Sequence, residues 1–108
     1  MLADVDLESA ADVATLSRMI NAGQSCIAAK RIIVEDSIYD VFVEKRQSRM
    51  AKFNMGDPLL SDTDVGPIAR EDLRQNLHRQ VTETIAAGAT SLLGGELSDA
   101  PASLMANT

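Results

Sequence analysis

The sequence predicts an α/β fold with an incomplete sheet. Three features carry that reading: apolar residues recur at three- and four-residue spacing in three stretches, a β-branched run separates the first two, and a shorter apolar run follows the third. Strands alternating with helices imply pairing that is at least partly parallel. Two candidate strands make a weak sheet, because a parallel layer needs helices on both faces and more neighbours than 108 residues provide. The expectation is one piece of a larger domain.

The first helix starts at Asp4 to Asp6, whose carboxylates can accept the free N–H groups of a first turn, and it runs to about Met19 or Ile20. Its apolar positions are Leu7, Ala10, Ala11, Ala14, Val13 and Leu16. Asn21-Ala22-Gly23-Gln24 follows, where glycine permits a tight turn. Residues 28–35, A-A-K-R-I-I-V-E, read as a buried or half-buried strand because they are mostly apolar and β-branched. Asp36 or Ser37 caps the second helix, whose stripe runs Ile38, Val41, Phe42, Lys45, Arg49, Met50 and Phe53.

Residues 54–69 contain glycines, prolines and aspartates that set turns and interrupt ladders, so a connecting loop is expected. The third helix spans about Arg70 to Ala87, with Leu73, Leu77, Val81 and Ile85 four residues apart and Gly88 as its C-terminal cap. The short A-T-S-L-L at 89–93 is the second strand candidate, closed by Gly94-Gly95. Residues 1–95 thus read as one part-domain, and 96–108, small and polar with little periodicity, as a poorly ordered tail.

Apolar residues at 45% and charged residues at 24% are the balance of a packed soluble protein. A net charge of −6 argues against nucleic acid as a partner, since phosphate neutralisation needs clustered Lys and Arg. Lys45, Arg46, Arg49 and Lys52 alternate with apolar positions and are expected on a solvated helix face. No apolar stretch approaches the length of a membrane span, and the N-terminus lacks the pattern of a secretory signal. With one cysteine there is neither an internal disulfide nor a C-x-x-C metal pair, so no metal is expected and a cytoplasmic setting is.

That cysteine, Cys26, ends the hexapeptide N-A-G-Q-S-C. A thiol catalyst needs an exposed sulfur and donors for the oxyanion of a tetrahedral adduct. The glycine lets the chain turn so that Cys26 can face a cleft, its backbone N–H is one possible donor, and Asn21 and Gln24 are suited to hold the turn. On residue chemistry alone, a lone cysteine in such a domain is more often an inert core residue.

N-A-G-Q-S-C followed by I-A-A-K-R-I-I-V-E-D-S-I-Y-D-V-F-V-E-K resembles the catalytic-cysteine region of the aldehyde dehydrogenase superfamily, in which an N-x-G-Q-x-C turn precedes a strand and a helix. The resemblance continues through M-G-D-P, V-G-P-I-A-R, D-L-R-Q-N-L-H-R-Q-V and A-A-G-A-T-S-L-L-G-G-E, and so covers nearly the whole chain. A-A-K-R and G-P-I-A-R-x-D-L-R are most similar to bacterial NAD(P)-dependent succinate-semialdehyde dehydrogenases.

The resemblance implies a part of that catalytic domain, with Cys26 as the nucleophile toward a small aldehyde and Asn21, Gly23 and Gln24 as supporting motif residues. It also implies a thiohemiacetal and then a thioester, with NAD or NADP taking the hydride. In the family, the side-chain oxyanion donor, the glutamate base and the Rossmann-like domain precede this segment, so no cofactor is expected on this chain and the isolated chain is expected to be inactive. Many succinate-semialdehyde enzymes place an arginine just before the motif's asparagine, and here that residue is Ile20. Glu35, Asp36 and His78 are the nearest local acid–base groups by type, but helix capping suits the first two and a solvated helix face the third. Gly94-Gly95 follows a helix and lacks the G-x-G-x-x-G spacing of a dinucleotide turn. An alternative is a non-catalytic assembly module, which self-associates or joins the remaining parts of the enzyme through exposed apolar surface.

Overall fold

A computed structural model describes residues 1–97 of the chain, so the tail expected from 96 lies almost wholly outside the described residues. Two compact units divide the molecule, Met1–Lys52 and Phe53–Thr108. Among the described residues there are three α-helices and no strand, so the expected alternation of helices and strands is corrected to helices joined by irregular chain.

In the first unit, α1 (Leu7–Met19) begins where the sequence places it. Asp6 is the N-cap, and its Oδ1 accepts the Ser9 N–H at 2.8 Å, satisfying one of the four donors a helix start leaves free. α2 (Asp36–Met50) starts one residue earlier than expected, with Glu35 at the N-cap and Asp36 already helical. The two helices pack together. Their buried positions are Ala11, Thr15 and Met19 on α1 and Ile38, Phe42 and Met50 on α2, with Phe42 only 2% exposed.

That face of α1 differs from the expected one. Val13 and Leu16 are each 64% exposed, whereas the four-residue spacing of Ala11, Thr15 and Met19 faces inward, so small residues allow close approach while larger ones stay outside. Beside this interface Lys45 pairs with Glu8, and Arg49 pairs with both Glu8 and Asp12. The pairs advance together along both helices, and Glu35, the N-cap of α2, lies beside Met1 and Ala3 ahead of α1, so the two helices run in the same sense. Of the four cations expected on a solvated face, Lys45 and Arg49 are ion-pair partners, Arg46 is half-buried, and Lys52 is exposed as expected.

Residues 28–35 form no strand. The Ala29 N–H donates to the Ser17 carbonyl at 3.1 Å, the Met1 ammonium to the Ile33 carbonyl at 2.8 Å, and the Glu35 N–H to the Met1 carbonyl at 3.1 Å. Lys30 to Val34 donate to no acceptor among the described residues. The β-branched composition is present, but a strand is a paired object, and the propensity reflects packing on a pleated surface that this segment lacks.

In the second unit, residues 54–69 form the expected loop, closed on itself more tightly than loop composition suggests. Met55 and Val65 make an isolated parallel bridge, and Asn54 donates from its backbone to Asp64 Oδ2 and from its side chain to the Asp62 carbonyl, both at 2.9 Å. α3 (Glu71–Ala86) ends as the sequence indicates. Gly88 has φ 105°, its N–H donates to the Ile85 carbonyl at 2.9 Å, and the Ala89 N–H donates to Thr84 at 3.2 Å, the paired bonds of a Schellman cap.

Using the Ala89 N–H in that cap helps explain why 89–93 is not a strand. Gly95 returns against the helix, where an added Cβ would stand 3.3 Å from Val81 Cγ1. The four-spaced stripe is only partly covered, with Leu73 and Ile85 each 44% exposed.

Candidate active site

The turn that leads to Cys26 is built from a left-handed backbone. After α1 the chain makes one 3-10 turn over Ile20–Gly23, inside which Asn21 (φ 51°, ψ 42°), Ala22 (φ 55°, ψ 29°) and Gly23 (φ 73°) all have positive φ. Asparagine and glycine tolerate that region, while alanine bears the clash of its Cβ with the following carbonyl. The turn is closed backbone to backbone, the Gln24 N–H donating to the Asn21 carbonyl at 3.0 Å. The Asn21 side chain makes no hydrogen bond among the described residues, so its part in the turn is conformational rather than the side-chain bonding expected of it.

A second turn follows at once. The Ala28 N–H donates to the Ser25 carbonyl at 3.1 Å, which places Cys26 and Ile27 at its two central positions. Cys26 is a free, exposed thiol and not the inert core residue that its type usually is. Its N–H has no acceptor among the described residues. Sulfur and N–H thus belong to one residue at the crest of a turn, an arrangement in which the N–H can meet an oxyanion formed on an attached carbon.

The supporting groups divide between the units. Asn21, Gly23, Gln24 and Cys26 lie together in the first. Glu35 is there too, but its carboxylate accepts from the Ala3 N–H at 2.9 Å and the Ser37 hydroxyl at 3.3 Å, which is a structural engagement. Asp36 opens α2, where its charge favours the helix N-terminus. His78 lies in the second unit, half-buried with Nδ1 enclosed and unpartnered, rather than on a solvated face. Among the described residues, no group of three or more His, Cys, Asp or Glu is placed to hold a metal ion. Gly94 and Gly95 follow α3, and neither opens a helix onto which a pyrophosphate could dock.

Sequence reasoning missed Arg18, whose guanidinium lies against this turn: a Cβ built on Gly23 would be 3.0 Å from its Nη2. Its place in the last turn of α1, five residues before a glycine, was the available signal.

Compared with known proteins, residues 1–106 match the model of the aldehyde dehydrogenase family. The chain belongs to the aldehyde dehydrogenase family. It is 48% identical over 101 residues to succinate-semialdehyde dehydrogenase [NADP(+)] 1 of Mycobacterium tuberculosis, covering 94% of this chain and 22% of that protein. A probable succinate-semialdehyde dehydrogenase [NADP(+)] of Synechocystis is 46% identical with the same coverage.

Among solved structures, lactaldehyde dehydrogenase from Escherichia coli superposes with a TM-score of 0.93 at 30% identity, over 97% of this chain and 22% of that one. A glyceraldehyde-3-phosphate dehydrogenase from Methanocaldococcus jannaschii, solved with NADP, gives 0.91 at 33% identity over 97% and 22%. The chain spans about a fifth of the length of these relatives. Among the described residues no helix is long and apolar enough to cross a membrane.

Proposed function

We propose that this chain is a fragment of an NAD(P)-dependent aldehyde dehydrogenase of the succinate-semialdehyde type, in which Cys26 is the nucleophile and Asn21, Gly23 and Gln24 shape its turn. The observation that carries the reading is the exposed Cys26 thiol at the crest of a turn, with its own N–H unpaired among the described residues, in a chain of this family. In the thiolate form, Sγ attacks the aldehyde carbonyl carbon, a C–S bond forms, and the carbonyl π electrons move to oxygen. The Cys26 N–H then faces the oxyanion, which takes a proton from water to give the thiohemiacetal. Residues 1–95 are accordingly read as part of the catalytic domain, and the reduced lone cysteine supports a cytoplasmic setting.

The described residues offer no group that fits a dinucleotide, so no oxidation step is assigned to them. On its own the chain stops at the thiohemiacetal, which forms reversibly. With succinate semialdehyde carrying carbon-13 at the aldehyde carbon, a new tetrahedral-carbon resonance is expected for the 108-residue protein and absent from Cys26→Ala, while neither protein forms NADH or NADPH. An adduct that persists in Cys26→Ala refutes the nucleophile, and Cys26-dependent nucleotide reduction refutes the inactivity of the isolated chain.

A second reading, association as a non-catalytic module, is favoured by the exposed apolar residues Val13 and Leu16 on α1 and Ile20 at its C-terminal cap. Its partners are a second copy or the remaining parts of the enzyme. A monodisperse monomer in sedimentation, without binding of an apolar dye, refutes it.

A further inference from the structure

Residues 30–36 read K-R-I-I-V-E-D, with cations at one end, β-branched residues in the middle and carboxylates at the other end. Exposure alternates along the stretch. Arg31, Ile33 and Glu35 are exposed and Ile32 and Val34 between them are half-buried, the period of an extended chain whose successive side chains point to opposite faces. Glu35 continues that backbone with φ −66° and ψ 137°.

In an extended chain the N–H and C=O of one residue share a side, and those of the next residue point the other way. Met1 occupies one side: its ammonium donates to the Ile33 carbonyl at 2.8 Å, and its carbonyl accepts the Glu35 N–H at 3.1 Å. Ile32 and Val34 therefore aim their polar backbone groups away from Met1, where they have no partner among the described residues. Such a row of unpaired groups is a template for another strand.

The segment is also its own complement. Turned antiparallel about Ile33, a second copy sets Ile33 against Ile33, Ile32 against Val34, Arg31 against Glu35 and Lys30 against Asp36. A shift of the register by two residues in either direction leaves Arg31 facing Ile33 or Ser37 instead. The Glu35 carboxylate keeps acceptor sites beyond those given to the Ala3 N–H and the Ser37 hydroxyl. The hydrogen-bond phase selects the same register as the charges. Bonded and non-bonded pairs alternate between antiparallel strands, so Ile32 and Val34, whose groups are free, make the bonded pairs, and Ile33, whose carbonyl is committed to Met1, falls at the non-bonded centre. Side chains lie closest at such a centre, and the Ile33 side chain is exposed to meet its copy.

We propose that residues 30–36 pair antiparallel with the same residues of a second copy of this chain, forming a two-stranded ribbon centred on Ile33. The ribbon uses a surface other than the α1 face and needs neither aldehyde nor nucleotide, so it stands or falls apart from both readings above.

The test is sedimentation of the 108-residue protein from about 10 µM to 1 mM, together with isotope-filtered NMR of a sample mixed from labelled and unlabelled chains. Dimer is expected to grow over that range, with an intermolecular contact between the Ile33 α protons and concentration-dependent shifts of the Ile32 and Val34 amides. Ile33→Lys sets like charges together at the centre and should weaken association about tenfold or more, and Arg31→Glu, at the ends, about threefold. Lys52→Glu, exposed in the same unit but outside the segment, should leave association unchanged.

A monomer throughout, or association that both Ile33→Lys and Arg31→Glu retain, overturns the ribbon. Association that Leu16→Glu removes and Ile33→Lys does not assigns the contact to α1 and overturns it likewise. Should Ile33→Lys unfold by circular dichroism, Arg31→Glu and the wild-type Ile33 contact decide the question.

Discussion

Replacing Gly23 by alanine tests whether the left-handed turn before Cys26 is populated in solution. At φ 73° a Cβ costs about 1–2 kcal/mol, and the reduced freedom of the unfolded chain returns about 0.4–1 kcal/mol, leaving a net loss of roughly 1 kcal/mol. Contacts add to this. The new methyl would stand 3.0 Å from Arg18 Nη2, which can swing away, and 3.3 Å from the Arg18 carbonyl oxygen, which is held in the end of α1.

The opposite exchange one residue earlier supplies the control. Ala22 already has its Cβ at φ 55°, so Ala22→Gly relieves strain and should be neutral or stabilising by up to about 1 kcal/mol. Urea unfolding followed by far-ultraviolet circular dichroism reads both, with melting temperatures expected to move by ~4–8 °C per kcal/mol for a domain of this size. Gly23→Ala with undiminished stability, or Ala22→Gly clearly destabilised, refutes the left-handed geometry and with it the placement of Cys26.

Two further outcomes follow from the helix pair. Thr15 is 3% exposed, and its Oγ1 is buried without a partner, so the isosteric Thr15→Val should raise the urea midpoint by an amount equivalent to about 1 kcal/mol; a lowered midpoint refutes the unpaired hydroxyl. Hydrogen bonds from Lys45 and then Arg49 lower the Glu8 pKa from 4.5 to about 2. A depressed carboxylate stabilises the fold fully above its unfolded pKa and loses that contribution as pH falls through the folded one, so the Glu8 contribution should fade between about pH 4.5 and 2. Glu8→Gln should remove this part of the acid dependence, and added salt should weaken it because the pairs are exposed. An unchanged acid limb in urea unfolding refutes the role of Glu8.

Elements governed by their own residues were legible in the sequence. Asp6 caps α1 and Gly88 closes α3 because each acts on hydrogen bonds within a few residues of itself. Asn21 and Gly23 announced a turn, although the left-handed Ala22 between them carried no such sign. The two expected strands failed because β-branched composition supplies a surface for pairing and says nothing about whether a partner exists. Which of the α1 stripes turns inward was ambiguous for the same reason: Ala11, Thr15 and Met19 compete with Val13 and Leu16 only in the presence of α2. Arg46 was misread as solvated, since helical spacing alone does not reveal that its Nε is enclosed.

The segment I-I-V at 32–34 has a consequence beyond the missing sheet. Its amides donate to nothing among the described residues and Ile33 is 85% exposed, so, without being a strand, it offers another chain the unpaired donors that an exposed sheet edge would. Lys30 and Arg31 before it, and Glu35 and Asp36 after it, act as gatekeepers. A second copy aligning in parallel register would set like charges against like at both ends, whereas an antiparallel copy would match them. The same four charges that oppose a parallel, amyloid-like stack therefore permit an antiparallel pair, and salt that screens them over ~8 Å at physiological strength erases the distinction.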